Sequence, residues 1–541
     1  MKKFLTLFTI IAFLNSLIGG WGDRRFGAFA QSITITPGSA GNIQIPSMTI
    51  NQIKAIASPQ VGMTVFDNTI NCLKIYDGFS WKCTNQVQGN NSPILTPQKM
   101  GGNGNNNEKG YEVYTDASNN MYLSGTYYQS ATIGDTTLTA TSFDTFISKY
   151  NANGQRLWTR KLGVSQSAEG MAIAVDNAGN VYFSGNFIGT FTINVNTLNS
   201  FGESNFFLIK YNSNGIAQWA RKGGASAYTF DNKALGFGLA TDATGNIYAS
   251  GTFRGTAVFG SLSLISASSN TNVYDDIFLI KYNSSGIEQW ARRAGGNSHD
   301  AGREVAVNGS FVYVTGMYVS PADFGGNTIT GNNQTDGFVA KYDLNGTYQS
   351  VFRTQSVAGY TNIVNDIAFD GAGNQYITGT YAYGATFGNG ITLTPNINDY
   401  GNFFVAKFNS AGVAQWAKQT NGNGEEEGRS IAVDASGNAY VAANYTLAPS
   451  LDGYMIVPTP NYNRDIFYAK YSTGGELQWF KKSGGEYDES VNAITVDGFG
   501  NLYATGFFRG IAFFDEQYLQ ANNYSNINPS GEDIFLLRIF E

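Results

Sequence analysis

Met171-Ala-Ile-Ala-Val-Asp-Asn-Ala-Gly-Asn-Val-Tyr-Phe-Ser-Gly185, continued by Phe207-Leu-Ile-Lys-Tyr211 and Gln218-Trp-Ala-Arg-Lys222, is one copy of a phrase that recurs seven times in this 541-residue chain. It reads as four short strands, Met171–Asp176, Val181–Gly185, Phe207–Tyr211 and Gln218–Lys222, joined by glycine-bearing turns. The first and third are nearly continuous apolar runs, as expected of strands covered on both faces by neighbouring sheets. The turn tyrosine returns at Tyr122, Tyr182, Tyr248, Tyr313, Tyr376, Tyr440 and Tyr503. The lysine of the third strand returns at Lys149, Lys210, Lys281, Lys341, Lys407 and Lys470, with Arg538 in the seventh place. Seven copies of a four-strand unit predict an all-β fold, a seven-bladed β-propeller over residues 94–541.

The seventh copy stops after its third strand, Leu536-Leu-Arg-Ile-Phe540. Ile94-Leu-Thr-Pro-Gln-Lys-Met-Gly-Gly102 has no strands of its own ahead of it and resembles the fourth-strand phrase Gln289-Trp-Ala-Arg-Arg-Ala-Gly-Gly296. It is expected to complete the last blade, closing the ring and removing an open sheet edge. The fourth unit departs from the pattern, with Asn308-Gly-Ser in place of the aspartate turn and Ser350 near the tryptophan position, which predicts an irregular outer edge there.

Charged residues make up only 13% of the chain against 42% hydrophobic, which excludes a disordered class. Lys2 and Lys3, the apolar run Phe4 to Ile18 and the small-x-small site Ala28-Phe29-Ala30 predict a signal peptide over 1–30. The run is shorter than the ~20 residues of a membrane-spanning helix, so no transmembrane segment is expected in the mature chain. The expected location is extracellular, cell-surface or periplasmic. Without residues 1–30 the chain keeps 29 basic and 39 acidic residues, a net charge of −10, which disfavours nucleic acid as a partner.

Residues 31–85 read as a small module and 86–93 as a polar linker. Thr49-Ile50-Asn51-Gln52 has the spacing of a capping box for a short helix that Pro59 ends. Three strands follow at Thr64–Phe66, Cys72–Tyr76 and Trp81–Cys83. Cys72 and Cys83 are the only cysteines, and a disulfide between them is expected in an exported chain. A zinc site would need more ligands than these and the single His299 supply.

Phe259-Gly260, Phe387-Gly388, Asp276-Ile-Phe-Leu-Ile-Lys-Tyr282, Ser285-Gly-Ile-Glu-Gln-Trp290 and Ala432-Val-Asp-Ala-Ser-Gly-Asn-Ala-Tyr440 resemble the bacterial β-propeller (SBBP) repeat. Gly62-Met-Thr-Val-Phe-Asp67 and Asn71-Cys-Leu-Lys-Ile-Tyr-Asp-Gly78 resemble a segment at the start of many exported proteins of Bacteroidetes. The resemblance implies a secreted or surface propeller and brings no common reaction with it.

Two sets of residues invite a chemical reading. Asp144, Asn205, Asp276, Asp336, Asn402, Asp465 and Asp533 stand two positions before each third-strand Phe. They are either a ring of oxygen ligands for a cation or polar ligand, or caps that accept backbone N–H bonds at loop ends. Their repetition favours caps. Glu108, Glu169, Asp300, Glu427 and Glu489 precede the first strands, where convergent carboxylates would serve as an acid and base pair for glycoside chemistry. Glu169, Asp300, Glu427 and Glu489 are the catalytic candidates, and the other reading is a solvated rim paired with Arg303 and Arg429. His299 and Arg303 join the candidate ligand-binding residues. The Asp-x-x-Gly-Asn phrases read as hairpin turns. Gly215 and Trp219 stand one residue too far apart for a sialidase Asp-box. With one His and no Gly-x-Ser-x-Gly, serine or cysteine hydrolysis is disfavoured.

The second-to-third-strand segments, Gly251 to Asp276 and Gly506 to Asp533 at their longest, are expected to form a variable recognition face. The first expectation is an exported, non-enzymatic binding or scaffold protein with a glycan, surface polymer or protein as partner. Alternatives are a glycoside hydrolase or lyase and a calcium-stabilised structural or adhesion propeller. No other cofactor is expected.

Overall fold

The computed structural model describes residues 47–48, 56, 63–67, 72–76 and 81–83, and residues 98–539 apart from 103–106, 195, 226–231, 268–273, 331–334, 356–360, 395–400, 457–462, 515–516 and 522–530. The chain divides into two compact units, Met1–Asn91 and Ser92–Glu541. In the first unit Ser47–Met48, Thr64–Asp67, Cys72–Tyr76 and Trp81–Cys83 form a sheet in that order, with a parallel first pair and antiparallel pairs after it. Cys83 pairs with Lys74, two residues out of register with Cys72. The Cys72 and Cys83 side chains, the signal peptide, the expected helix and the linker lie outside what is described. Among the described residues no helix is long and apolar enough to cross a membrane.

The second unit consists of seven antiparallel four-stranded sheets. Blade 2 is typical: Ser167–Val175, Val181–Ile188, Asn205–Tyr211 and Ala217–Gly224 pair in sequence, each slightly longer than its repeat phrase. The first strand of each blade is the inner edge, and these seven strands pack one against the next from Lys109–Thr115 round to Ser490–Val496 and back to Lys109–Thr115. The inner strands therefore surround a central channel. The outer strand of blade 7 is Gln98–Met100, which pairs antiparallel with Glu532–Ile539. Blade 4 keeps four regular strands, and Ser350 takes the place of Trp opposite Lys341.

The segments between second and third strands are less free than a recognition loop would be. In four blades this segment folds back as a hairpin that pairs with the outer strand of the preceding blade. Thr256–Phe259 pairs with Gly223 and Gly224, Ala322–Phe324 with Ala294 to Gly296, Ser450–Leu451 with Thr420 and Asn421, and Ile511–Phe514 with Ser483 to Gly485. In blades 2 and 5 the hairpins, Thr190–Ile193 with Asn196–Asn199 and Ala385–Gly388 with Ile391–Leu393, are separate two-stranded sheets. Where the pairing forms, the outermost strand of one blade is covered by its successor, which blunts an edge that would otherwise recruit other strands.

The core lies between blades. Tyr182, Phe206 and Trp219 of blade 2 pack with Phe253, Phe259 and Phe278 of blade 3 in one buried cluster. A second repeated device grips the neighbour from outside. Trp290 of blade 3 donates its indole N–H to Leu344 O of blade 4 at 3.1 Å, and Arg292 Nε donates to Gly346 O at 2.7 Å. Trp158, Trp219 and Trp416 make the equivalent indole bond to the next blade. Under each indole lies the glycine of the next blade's turn, opened by Asn212, Asn283, Asp343 or Ser472: a Cβ on Gly215, Gly286, Gly346 or Gly475 would come within 2.7 to 2.9 Å of the ring. This is why Gly and Trp recur together. The turn aspartates are equally committed. Asp176 Oδ1 accepts the amides of Ala178 and Asn180, and Oδ2 accepts Asn180 Nδ2 and Tyr182 O–H, all at 2.8 to 3.0 Å.

Blade 4 provides an internal control. Since Ser350 replaces its tryptophan, Gly412 of blade 5 has nothing within 4 Å of a built Cβ, although its φ of +79° matches the +77° of Gly346. We expect Gly412→Ala to lose about 1 kcal/mol for the left-handed backbone alone. Gly346→Ala should lose a further ~1–3 kcal/mol for displacing the Trp290 ring. Urea unfolding of the two variants checks this, and equal losses would show that the grip contributes nothing.

Candidate functional site at the channel mouth

Every inner strand carries one β-bulge against its partner. A bulge leaves an extra residue outside the ladder and redirects it. The residues so placed are Tyr111, Met171, Phe237, Arg303, Asn365, Arg429 and Asn492. All seven are half-buried, whereas the residue before each, Gly110, Gly170, Gly236, Gly302, Val364, Gly428 and Val491, is buried. They form a ring in which backbone geometry repeats and chemistry does not.

Contacts run from blade to blade around this ring. Arg429 Nη1 meets Glu427 Oε1 at 2.9 Å, Arg429 Nη2 donates to Asn492 Oδ1 at 3.0 Å, and Asn492 Nδ2 donates to Gly110 O at 2.7 Å. Tyr111 O–H donates to Glu169 Oε1 at 3.3 Å, and Asn365 Nδ2 to Gly428 O at 2.8 Å. The Arg303 guanidinium lies 5.4 Å from the centre of the Phe237 ring. Burial works to raise the Glu427 carboxyl, but Arg429, Arg464 and Arg303 outweigh it and hold the group below its ordinary value.

Directly beyond the bulges lies a set of acids that the sequence reading missed. Burial pushes the Glu112 and Glu304 carboxyls well up, and Asp366 up to about 6. Glu112 belongs to blade 1, yet Glu304 and Asp366 of blades 4 and 5 raise it further, so the three act on one another across the channel. Each is enclosed by protein yet half-exposed to the lumen. Asp366 is pinned by Ser430 Oγ and by the amides of Ile431 and Ile367. The missed signal was the offset: all three stand two residues after the Gly or Val that opens the bulge.

The four catalytic candidates fall into two places. Glu169 and Glu427 lie within inner strands, one residue before the bulge glycine, at the mouth. Asp300 and Glu489 sit one residue deeper in sequence and turn into the blade interior. Asp300 accepts the amides of Gly296 and Val319, both at 2.7 Å, and Glu489 accepts that of Gly485 at 2.9 Å. Glu108 occupies the equivalent place in blade 1.

The candidate ring at the start of the third strands is buried as well. Asp144 accepts the amides of Thr145 and Gly163, and Asn205 accepts that of Phe201 and donates to Gly223 O and Ala225 O. Asp276 accepts from Ala267 N and Arg293, while Asp336 takes the Tyr318 hydroxyl. Asn402, Asp465 and Asp533 are buried in the same position. Among the described residues no cluster of three or more His, Cys, Asp or Glu is placed to hold a metal. His299 is half-exposed beside Asp275, at 3.5 Å, with its ring edge-on to Tyr274.

At three blade boundaries the two buried sets meet as carboxyl pairs, Glu108 with Asp533, Asp300 with Asp276, and Glu489 with Asp465. The Gly-Gly doublets that end the fourth strands make room for them: a Cβ on Gly484 would stand 2.1 Å from Asp465 Oδ1, and one on Gly101 1.8 Å from Asp533 Oδ1. Burial, with the second carboxylate adding to it, pushes Glu108 up to about 8 and Asp300 up to about 7.

No protein-family model matches the chain. An uncharacterized WD repeat-containing protein of Acanthamoeba polyphaga mimivirus is 25% identical over 493 residues, covering 78% of this chain and 32% of its own length. The regulatory protein FlaEY of Caulobacter vibrioides is 26% identical over 315 residues, covering 54% and 32%. The chain therefore spans about a third of the length of these curated relatives. Among solved structures, an ulvan lyase of a new polysaccharide lyase family aligns with a TM-score of 0.39 at 12% identity, over 73% of this chain and 88% of that one. Hydrazine synthase of Kuenenia stuttgartiensis aligns at 0.36 and 10%, over 73% and 92%. None of these likenesses transfers an activity.

The carboxyl pairs fix a direction of pH dependence. Their folded-state pKa values lie above the unfolded ones, so the folded chain binds the extra protons. Their stabilisation is complete only below the ordinary carboxyl range, about pH 4, and is lost progressively as pH rises to about 7 for Asp300 and about 8 for Glu108. These pairs should therefore make the melting temperature fall between roughly pH 4 and 8, and Glu108→Gln should flatten that fall. A melting temperature that rises over this interval would contradict the assignment.

Proposed function

We propose that this protein is an exported, non-enzymatic propeller that binds a ligand at the mouth of its channel. The observation that carries the reading is the unevenness of the bulge ring, where one backbone position holds two aromatic rings, two arginines, two amides and a methionine. Residues that merely build a repeat recur in most copies, as the turn aspartates of six blades and the indole grips of four do. A concave site with apolar rings and a few convergent polar groups is the usual form of a binding pocket. Export rests on the leader-like residues 1–30, and the resemblance to the SBBP repeat agrees with a surface or secreted role. The partner class is a glycan, a surface polymer or a protein.

The catalytic reading is weaker for the four acids first considered. Asp300 and Glu489 are spent on backbone amides away from the mouth, and Glu427 is spent on Arg429. It keeps one specific support in Glu112, Glu304 and Asp366, since carboxyls of raised pKa facing a channel are how acid and base roles arise. For calcium, the turn aspartates offer few vacant oxygens. We expect no change in melting temperature between chelator and millimolar calcium, since a ligand of the native state would raise it by mass action.

Incubation with a panel of insoluble polysaccharides, following depletion from solution and release of reducing ends together, tests the reading. Depletion without release is expected, and Phe237→Ala or Tyr111→Ala should weaken it about tenfold, as loss of an anchoring ring does. Release of reducing ends that Glu304→Gln abolishes would replace the binding reading with the enzymatic one.

A further inference from the structure

We infer that the channel mouth is an anion site that takes the carboxylate or sulfate group of an acidic saccharide, with Arg303 as the receiving group. The inference deepens the binding reading above and rests on it.

Arg303 projects from a bulge on the inner strand of blade 4 and is enclosed by its surroundings. Among the described residues its guanidinium donates no hydrogen bond, and its Nε is buried without a partner. A buried cationic donor left unmade carries a desolvation cost that a ligand oxygen would remove. The other arginine of the ring is differently placed, because both terminal nitrogens of Arg429 are engaged, by Glu427 and Asn492.

The local charge balance points the same way independently. Arg429, Arg464 and Arg303 all act on the one carboxylate of Glu427. Three guanidinium groups thus act on a single carboxylate at the mouth of a protein whose overall charge is negative. Glu169, the other mouth acid, receives the Tyr111 hydroxyl.

The Arg303 guanidinium lies 5.4 Å from the centre of the Phe237 ring, and its planar donor fork can engage two ligand oxygens at once. Aromatic faces with amide groups beside them suit a saccharide, whose C–H face packs on rings and whose hydroxyls bond to amides. Phe237 and Tyr111 supply the rings, and Asn365 and Asn492 the amides.

Titration calorimetry of the purified protein tests this with four probes: an oligogalacturonate for carboxylate, a sulfated oligosaccharide for sulfate, carboxyl-reduced oligogalacturonate as the neutral twin, and polyglutamate as the acidic peptide. At least one acidic saccharide should bind, about tenfold or more tightly than the neutral twin, and more weakly as salt rises. Arg303→Gln should abolish that preference with little change in melting temperature, since among the described residues the side chain donates no hydrogen bond and its contacts are the Phe237 ring and the Glu427 charge. Arg303→Lys should keep part of it, and Arg156→Gln, which removes the same charge at a surface ion pair with Asp135, should keep all of it. Equal binding of the neutral twin, or of neutral glycans alone, would overturn the anion inference and leave the binding reading standing. Binding of polyglutamate alone would overturn the saccharide, and no binding to any neutral or acidic probe would overturn both.

Discussion

An indole laid over a neighbour's glycine turn is the contact on which the ring depends. A blade of this size buries little by itself, because both faces of its sheet are apolar and must be covered by the blades on either side. Phe206, Trp219 and Phe278 show the interlock, since one buried cluster is shared by two blades. The indole bonds from Trp158, Trp219, Trp290 and Trp416, joined at the first three by those of Arg160, Arg221 and Arg292, then fix how blades 1, 2, 3 and 5 are rotated against their successors. They reach backbone carbonyls, so the geometry tolerates drift in the turn's side chains and forbids only a side chain at its glycine. That asymmetry is visible in the repeat itself, where the residues between Gly and Trp vary.

A frame held from the outside leaves its inner edge free to vary. Bulges on the inner strands place one residue per blade outside the ladder, where its chemistry differs from blade to blade. Two electrostatic layers result. Arginines sit at the mouth beside the acids they pair with, and carboxyl groups of elevated pKa sit one step further in. Both layers belong to the same strands, separated by a single residue of sequence, so neither can move without the other.

Much of this was legible in the sequence, and the exceptions share one physical cause. The blade count, the strand order and the turn aspartates follow from period and turn chemistry, which are local. The bulge is not local: it depends on how a strand pairs, and one inserted residue sends every following side chain to the opposite face. Glu169 and Asp300 look alike in a list of acids before first strands, yet one reaches the mouth and the other the blade interior. Glu112 and Glu304 escaped notice because they lie inside apolar strands, where an acid reads as an interruption. The hairpins that cover the blade edges were hidden differently. Phrases such as Phe259-Gly260 were recognisable as part of the repeat, but their partner is the preceding blade, and no sequence spacing shows that.

The pairing of Gln98–Met100 with Glu532–Ile539 has a consequence for time as well as for shape. Blades 1 to 6 can each be finished as they emerge, but the seventh cannot, since its outer strand is made before blade 1 and its third strand after every other strand of the ring. The ring must therefore stay open until Glu532–Ile539 has been made, with the inner strands of blades 1 and 7 each lacking the neighbour that covers them. Closure pairs the most distant segments of the ring and bears the largest loop entropy, so it is the slow step.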